Sequence, residues 1–208
     1  MAFKAGSLVH WNYFLAIERD VEVLSRYVEF DESNFDCFSI EIARILLAAG
    51  AEVDVVCKQL CRMTESDSNA GNIRQYRGKL INAIAGIANF EVTIARFGLT
   101  LKPWDEWRND PGVPFWWTAY NKVKHQRDSH YDRANLKNAL NSVAGLFVLV
   151  LYFYQSFALW GGLSPSAQLF GVTGVHDLGI DPTNGNHRYQ IEAIQEVKAQ
   201  CNGDSAQT

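Results

Sequence analysis

Residues 142–154, SVAGLFVLVLYFY, carry no charge, and only Ser142 among them is strongly polar. They lie inside a longer helical pattern, residues 133–160, RANLKNALNSVAGLFVLVLYFYQSFALW. A helix over that stretch would be about 42 Å long. Such a segment must find a dry place, and there are three: the core of its own chain, an interface with a second copy, or a bilayer. A membrane span wants about 20 apolar residues. Extending the run to Leu163 reaches that length only by accepting Gln155, Ser156, Gly161 and Gly162. A stretch of this length is more often a buried core helix. The expectation is therefore a core or dimer-interface helix with no membrane involved, and a membrane-anchored helical protein, resting on residues 143–163, is the further alternative.

Four more helical patterns precede it. Residues 10–30 place Phe14, Ile17, Val21, Leu24 and Val28 at steps of three and four, with Arg19, Glu22, Arg26 and Glu29 between them. That is an amphipathic helix. Residues 38–61 are apolar almost all round, so their charges need partners. Glu41–Arg44 and Asp54–Lys58 stand three and four apart and can pair locally, and Glu52 is the remaining acid of that helix. Residues 62–72 read as a loop, residues 73–97 as a third helix closed by Gly98, and residues 114–127 as a short helix with Pro114 at its first turn. Between the last two runs a connection carries Pro103, Trp104, Trp107 and Pro111. Its tryptophans should pin it to the bundle.

The expected fold is all-α: an up-and-down bundle of four to five helices over residues 1–160, then an irregular extension over residues 161–208. Within the extension, residues 161–190 are rich in glycine, residues 187–200 suggest a short final helix, and residues 202–208 should fray. Met1 to Gly6 has no apolar core, so no signal peptide is expected and a cytoplasmic location is.

Composition narrows the function. The chain of 208 residues has a net charge of −4, which argues against a global basic surface for duplex DNA but leaves room for a local patch. No nucleotide-binding glycine loop, HExxH or GxSxG is present. Cys57 and Cys61 are four apart with no CxxC pair and no nearby histidine, so they read as buried thiols, together with Cys37 and Cys201, and no zinc or other cofactor is expected. His10, His125, His130, His176 and His187 make no obvious metal pair.

One segment concentrates chemistry: Tyr120, Asn121, Lys122, Val123, Lys124, His125, Gln126, Arg127. Asn121 and His125 are one helical turn apart and share a face. Lys124 and Arg127 flank it. Residues 119–137, with Lys122, Lys124, Arg127, Arg133 and Lys137 against Asp128 and Asp132, carry a local charge of +3. A histidine can give or take a proton near neutral pH, and a neighbouring cation can stabilise a phosphorane. The same residues also suit a solvated helix C-terminus that complements the helix dipole.

An all-helical chain with this N-x-x-x-H segment leading into a long apolar helix resembles the HEPN superfamily. The family pattern is R-x(4–6)-H, often Arg-Asn-x-x-x-His. Asn121 and His125 match it, and Tyr120 stands at the arginine position. The resemblance spans about residues 10–160, with six residues carrying its specific part. It implies a helical bundle, homodimerisation through the motif helices, and metal-independent RNA cleavage in a composite site. It further implies a place in a prokaryotic toxin–antitoxin or anti-phage defence system. Two classes of function follow. In one, a non-catalytic dimeric module binds RNA or a protein partner, with Lys122, Lys124, Arg127 and Arg133 on the phosphates. In the other, a ribonuclease uses His125 as general acid or base, Asn121 to orient it, and Lys124 and Arg127 to stabilise charge.

Overall fold

The structure, a computed structural model, describes residues 7–191. It is mostly helical, with six α-helices and two two-stranded antiparallel sheets among the described residues. The helices are α1 (Val9–Leu24), α2 (Ile40–Thr64), α3 (Ile73–Ala83), α4 (Phe115–Gln126), α5 (Leu136–Phe153) and α6 (Gln155–Leu159).

The uncharged run forms α5, the axis of the fold. Every residue from Asn138 to Tyr152 is buried. Helix α2 lies along α5, α1 and α4 each pack on both, and α3 packs on α2. The polar groups on α5 are satisfied within the helix and its cap: Asn138 Nδ2 donates to the Arg133 carbonyl at 2.9 Å, Asn141 Nδ2 to Lys137 at 2.9 Å, and Ser142 Oγ to Ala139 at 2.7 Å. Helix α5 is long and apolar enough to cross a membrane, but 89% of that window is buried inside the fold. Leu149 and Val150 are buried inside the chain, while Phe153 and Tyr154 at the end of the helix are half-buried.

The sequence reading of α2 holds closely. Ser39 caps it, its Oγ accepting from Ile42 N at 3.2 Å. The expected pairs form, Arg44 to Glu41 at 2.6 Å and Lys58 to Asp54 at 2.5 Å. Helix α1 stops at Leu24, six residues short of expectation, because the chain turns to bring Phe30 inside, where its ring meets Phe97 at 4.8 Å.

Three expectations need correction. The third helix does not run to residue 97. It ends at Ala83, and the chain makes strands β1 (Val92–Ile94) and β2 (Leu99–Leu101), paired Val92 to Leu101. Gly86 and Gly98 take positive φ, 76° and 65°, so Gly98 turns a hairpin rather than closing a helix. Val92, Ile94, Leu99 and Leu101 face the core at the two-residue period of strands. The longest helix starts only at Leu136, with Asn135 as its cap, and breaks at Tyr154, where φ −108° and ψ 34° leave helical geometry, so that α6 continues as a separate element. Finally, His187–Tyr189 is not helical. It forms strand β4, antiparallel to β3 (Asp177–Ile180). The rest of the expected final helix, Met1 to Gly6, and Cys201 lie outside the described residues.

The segment after Gly161 is built into the same core, through Leu163, Leu169, Phe170, Val172 and Tyr189. Glu18 on α1 holds it. This buried carboxylate accepts from the backbone N–H groups of Gln168, Leu169 and Phe170 at 3.0, 2.9 and 3.1 Å. Gly171 exchanges two hydrogen bonds of 2.9 Å with Thr93 of β1.

The tryptophan loop is pinned as expected. Trp104 and Trp107 are fully buried, with ring centroids 4.3 Å apart. Trp104 Nε1 donates to Gly145 O of α5 at 3.3 Å, and Trp116 Nε1 of α4 to Pro103 O at 2.7 Å. Gly145 leaves room for them, since a Cβ there would stand 2.9 Å from the Trp116 ring.

Candidate nucleic-acid interface

Helix α4 presents two kinds of side chain. Trp116, Trp117, Ala119, Tyr120 and Val123 are buried, and Lys122, Lys124, His125 and Gln126 are exposed. Tyr120, at the position of the family's arginine, is therefore a core residue. Its ring lies across Gly50 of α2, where a Cβ would come within 2.4 Å of it. Gly50→Ala should push Tyr120 and α4 outward. Overpacking costs about 1–3 kcal/mol, and the better helix propensity of alanine returns up to about 1 kcal/mol. The variant is expected to melt lower and to lose the α4 surface. Urea unfolding checks the first and hydrogen exchange along α4 the second.

Asn121 does not reach toward His125. Its Nδ2 donates to Trp117 O at 3.2 Å within its own helix, which leaves the amide oxygen free to accept. His125 is exposed and makes no hydrogen bond or ion pair among the described residues. It is thus not a satisfied core histidine, and nothing orients it. Lys124 lies over the Tyr120 ring, Nζ to centroid 5.4 Å. Lys122 Nζ lies 3.5 Å from His130 Nε2. Arg127 is the exposed C-cap of α4 and is not among the residues lining the clefts described below.

Three clefts lie along the exposed turns of the helix, and a fourth, about 580 Å³, meets its first residue, Phe115, beside Asp36, Asp105, Glu106 and Lys137. The first, about 520 Å³, runs between α4 and the start of α3 and is lined by Asp54, Asn72, Arg74, Tyr120, Asn121 and Lys124. The second, about 410 Å³, shares Arg74, Trp117 and Asn121 with the first and adds Lys122 and His125. The third, about 540 Å³, lies on another side of α4 and is lined by Asp36, Lys122, His130, Arg133, Lys137 and Asn138. The expected cations are thus divided. Lys124, Asn121 and His125 look toward α3, Arg133 looks toward the start of α5, and Lys122 borders both.

Arg74 is the residue that spacing along the chain could not find. It is exposed and has no hydrogen-bond or ion-pair partner among the described residues. Its position is set by Asn72, whose side chain caps α3 by accepting from Gln75 N at 3.1 Å, while Gly71 N donates to Gln75 Oε1 at 2.9 Å. That N-x-x-Q cap is visible in the sequence, but its proximity to α4 is not. The one acid of the first cleft is already engaged: Asp54 takes Lys58 at 2.5 Å and the Tyr76 hydroxyl at 2.7 Å. Burial, and then the bond to Asp54, push the Tyr76 phenol far above its ordinary range, so it remains a donor.

The other chemistry-bearing groups belong to the core. His10 is buried between Glu52, 2.5 Å from its Nδ1, and the Gln59 amide, 3.0 Å from its Nε2, and ties α1 to α2. Cys57 and Cys61 are buried thiols. Desolvation pushes Cys57 well above the ordinary thiol range and Cys61 up to about 11, so neither is a reactive thiolate. Among the described residues, no group of three or more histidine, cysteine, aspartate or glutamate side chains is placed to hold a metal ion. No family model, no curated protein and no solved structure matches this chain.

Proposed function

We propose that this protein is a HEPN-like, non-catalytic helical module that binds RNA on the exposed face of α4. The observation that carries the reading is the set of exposed cations around that helix, Arg74, Lys122 and Lys124, none of which is paired with a carboxylate among the described residues. Elsewhere the opposite pattern is common: Arg44, Lys58, Arg77, Lys79, Lys102 and Arg108 each meet an acid. Unpaired cations in an acidic protein favour a polyanionic ligand. Catalysis finds less support. The arginine position is filled by a buried tyrosine, and the Asn121 amide is turned to its own helix.

A second reading, a metal-independent ribonuclease, draws on Arg74. It shares a cleft with Asn121 and His125 and could supply the charge that Tyr120 does not. A place in a defence or toxin–antitoxin system stays a corollary of the HEPN likeness. The oligomeric state is separable, and light scattering at micromolar concentration reads it.

Fluorescence anisotropy with a labelled single-stranded RNA, run beside a cleavage assay, tests the two readings. Wild type is expected to bind without cutting. Lys124→Ala should weaken binding. His125→Ala should change the unfolding free energy by less than about 0.5 kcal/mol, since the side chain is exposed and unpartnered. Cleavage by wild type that falls about 10²–10⁴-fold in His125→Ala would replace the module by the nuclease.

A further inference from the structure

We infer that the ligand of this surface is a single-stranded RNA that passes over α4 as over a ridge, with one set of phosphates on Arg74 and Lys124 and another on Arg133 and Lys137. The inference rests on the RNA-binding reading and adds a path and a strandedness to it.

The clefts give the path. The cleft between α3 and α4 and the cleft at the start of α5 do not merge, but the cleft holding His125 shares Arg74 and Asn121 with the one and Lys122 with the other. A continuous basic track results: Arg74 and Lys124, then Asn121 and His125, then Lys122, then His130, Arg133 and Lys137. The lysines at its two ends are held in the same way. Lys124 lies over Tyr120 at 5.4 Å and Lys137 over Phe115 at 5.2 Å. Both rings belong to α4. An aromatic face positions an ammonium without neutralising it, as a carboxylate would. The acid on the Lys124 flank is spent, whereas the Lys137 end also borders Glu32, Asp105 and Glu106, and the Lys137 charge acts on Glu106. Asp54 is taken by Lys58 and Tyr76, Arg133 meets Asp132 only at 3.5 Å on the exposed surface, and Asp36 pairs with no cation among the described residues.

Shape decides strandedness. A helix with its side chains is about 10–12 Å across, so a ligand reaching both flanks must bend sharply over it. A stiff duplex does not bend over it, and the deep, narrow major groove of A-form RNA does not straddle it. A single strand does, and its unstacked bases can reach the free Asn121 oxygen and the exposed Asn72 amide in the clefts. These amides favour a nucleic acid over an acidic polypeptide.

Binding of a labelled RNA dodecamer is measured against salt for wild type, for Arg74→Ala/Lys124→Ala, for Arg133→Ala/Lys137→Ala, and for Arg44→Ala as a control that removes a charge from an exposed pair on α2. Melting curves confirm that each variant is folded. Each double variant should flatten the slope of log K against log salt by about 1.4, since each phosphate contact on a single strand contributes about 0.7. The control should leave the slope unchanged. A dinucleotide should compete poorly, because it cannot reach both flanks. The path is overturned if only one double variant changes the slope, or if the dinucleotide competes as well as the dodecamer. Strandedness is overturned if a duplex of equal length binds as tightly. Poly-glutamate binding as tightly as RNA would replace the ligand by an acidic protein. Wild type that binds no RNA would reject the RNA-binding reading itself, and this inference with it.

Discussion

Glu18→Ala is expected to lower the unfolding free energy by about 3 kcal/mol. The side chain is only 3% exposed, and its carboxylate is the partner of three consecutive backbone N–H groups. Gln168 is exposed and its N–H can turn to water, but Leu169 and Phe170 are buried. Two buried donors left without an acceptor cost about 1–3 kcal/mol each. In a chain of this size the melting temperature should fall by roughly 6–12 °C. Hydrogen exchange should quicken first at the amides of Leu169 and Phe170. Protection unchanged there would show that Glu18 does not hold the segment.

The same residue gives a pH dependence with a definite sign. Burial raises the Glu18 carboxyl above its ordinary value of 4.5, and the three N–H groups pull it back only in part. The folded state therefore binds this proton more tightly than the unfolded chain. Its contribution is fully present below the unfolded value near 4.5 and is lost as pH rises through the elevated folded value. Glu18→Gln, which cannot titrate, should remove that share of the pH profile. An identical profile in wild type and Glu18→Gln, followed by urea unfolding across mildly acidic pH, would contradict the assignment.

Trp116→Ala should cost about 3–5 kcal/mol, as truncating a fully buried aromatic does. Trp116 meets the Trp104 ring at 5.2 Å, lies on Gly145 of α5 and donates to Pro103 O. Its removal leaves a cavity between α4 and α5 and frees the loop that leads into α4. Because α4 carries Lys122, Lys124 and His125, the RNA binding proposed for this surface should fall along with stability. Loss of stability with full RNA affinity in the folded fraction would show that the surface does not depend on how α4 is seated.

What was legible in the sequence is what depends on neighbours along the chain. Thirteen uncharged residues after Asn141 have only dry places to go, and α5 is the interior helix. Charges three and four apart on α2 pair because the helix itself brings them together. Tryptophans in a long connection are too large to leave in water, and Trp104, with Trp107 packed on its ring, pins the loop to α5. The exposed face of α4, with Lys122, Lys124 and His125, also follows from helical spacing alone.

The rest was decided by contacts between distant parts of the chain. Residues 84–97 satisfy a helical period as written, but positive φ at Gly86 and Gly98, with burial of Val92 and Ile94 on one face, makes a hairpin. Residues 161–190 show no periodicity, yet Glu18, far away on α1, gathers their N–H groups and builds them into the core. Tyr120 reads as a place for a charge and is a core ring, because Gly50 on another helix leaves space only for something flat and apolar. Arg74 has no sequence neighbour that marks it, and only the packing of α2 against both α3 and α4 sets it beside Asn121. Local spacing fixes which side chains share a face. Which faces meet is settled by the burial of apolar surface and the pairing of buried polar groups over the whole fold, and those are properties of the tertiary structure.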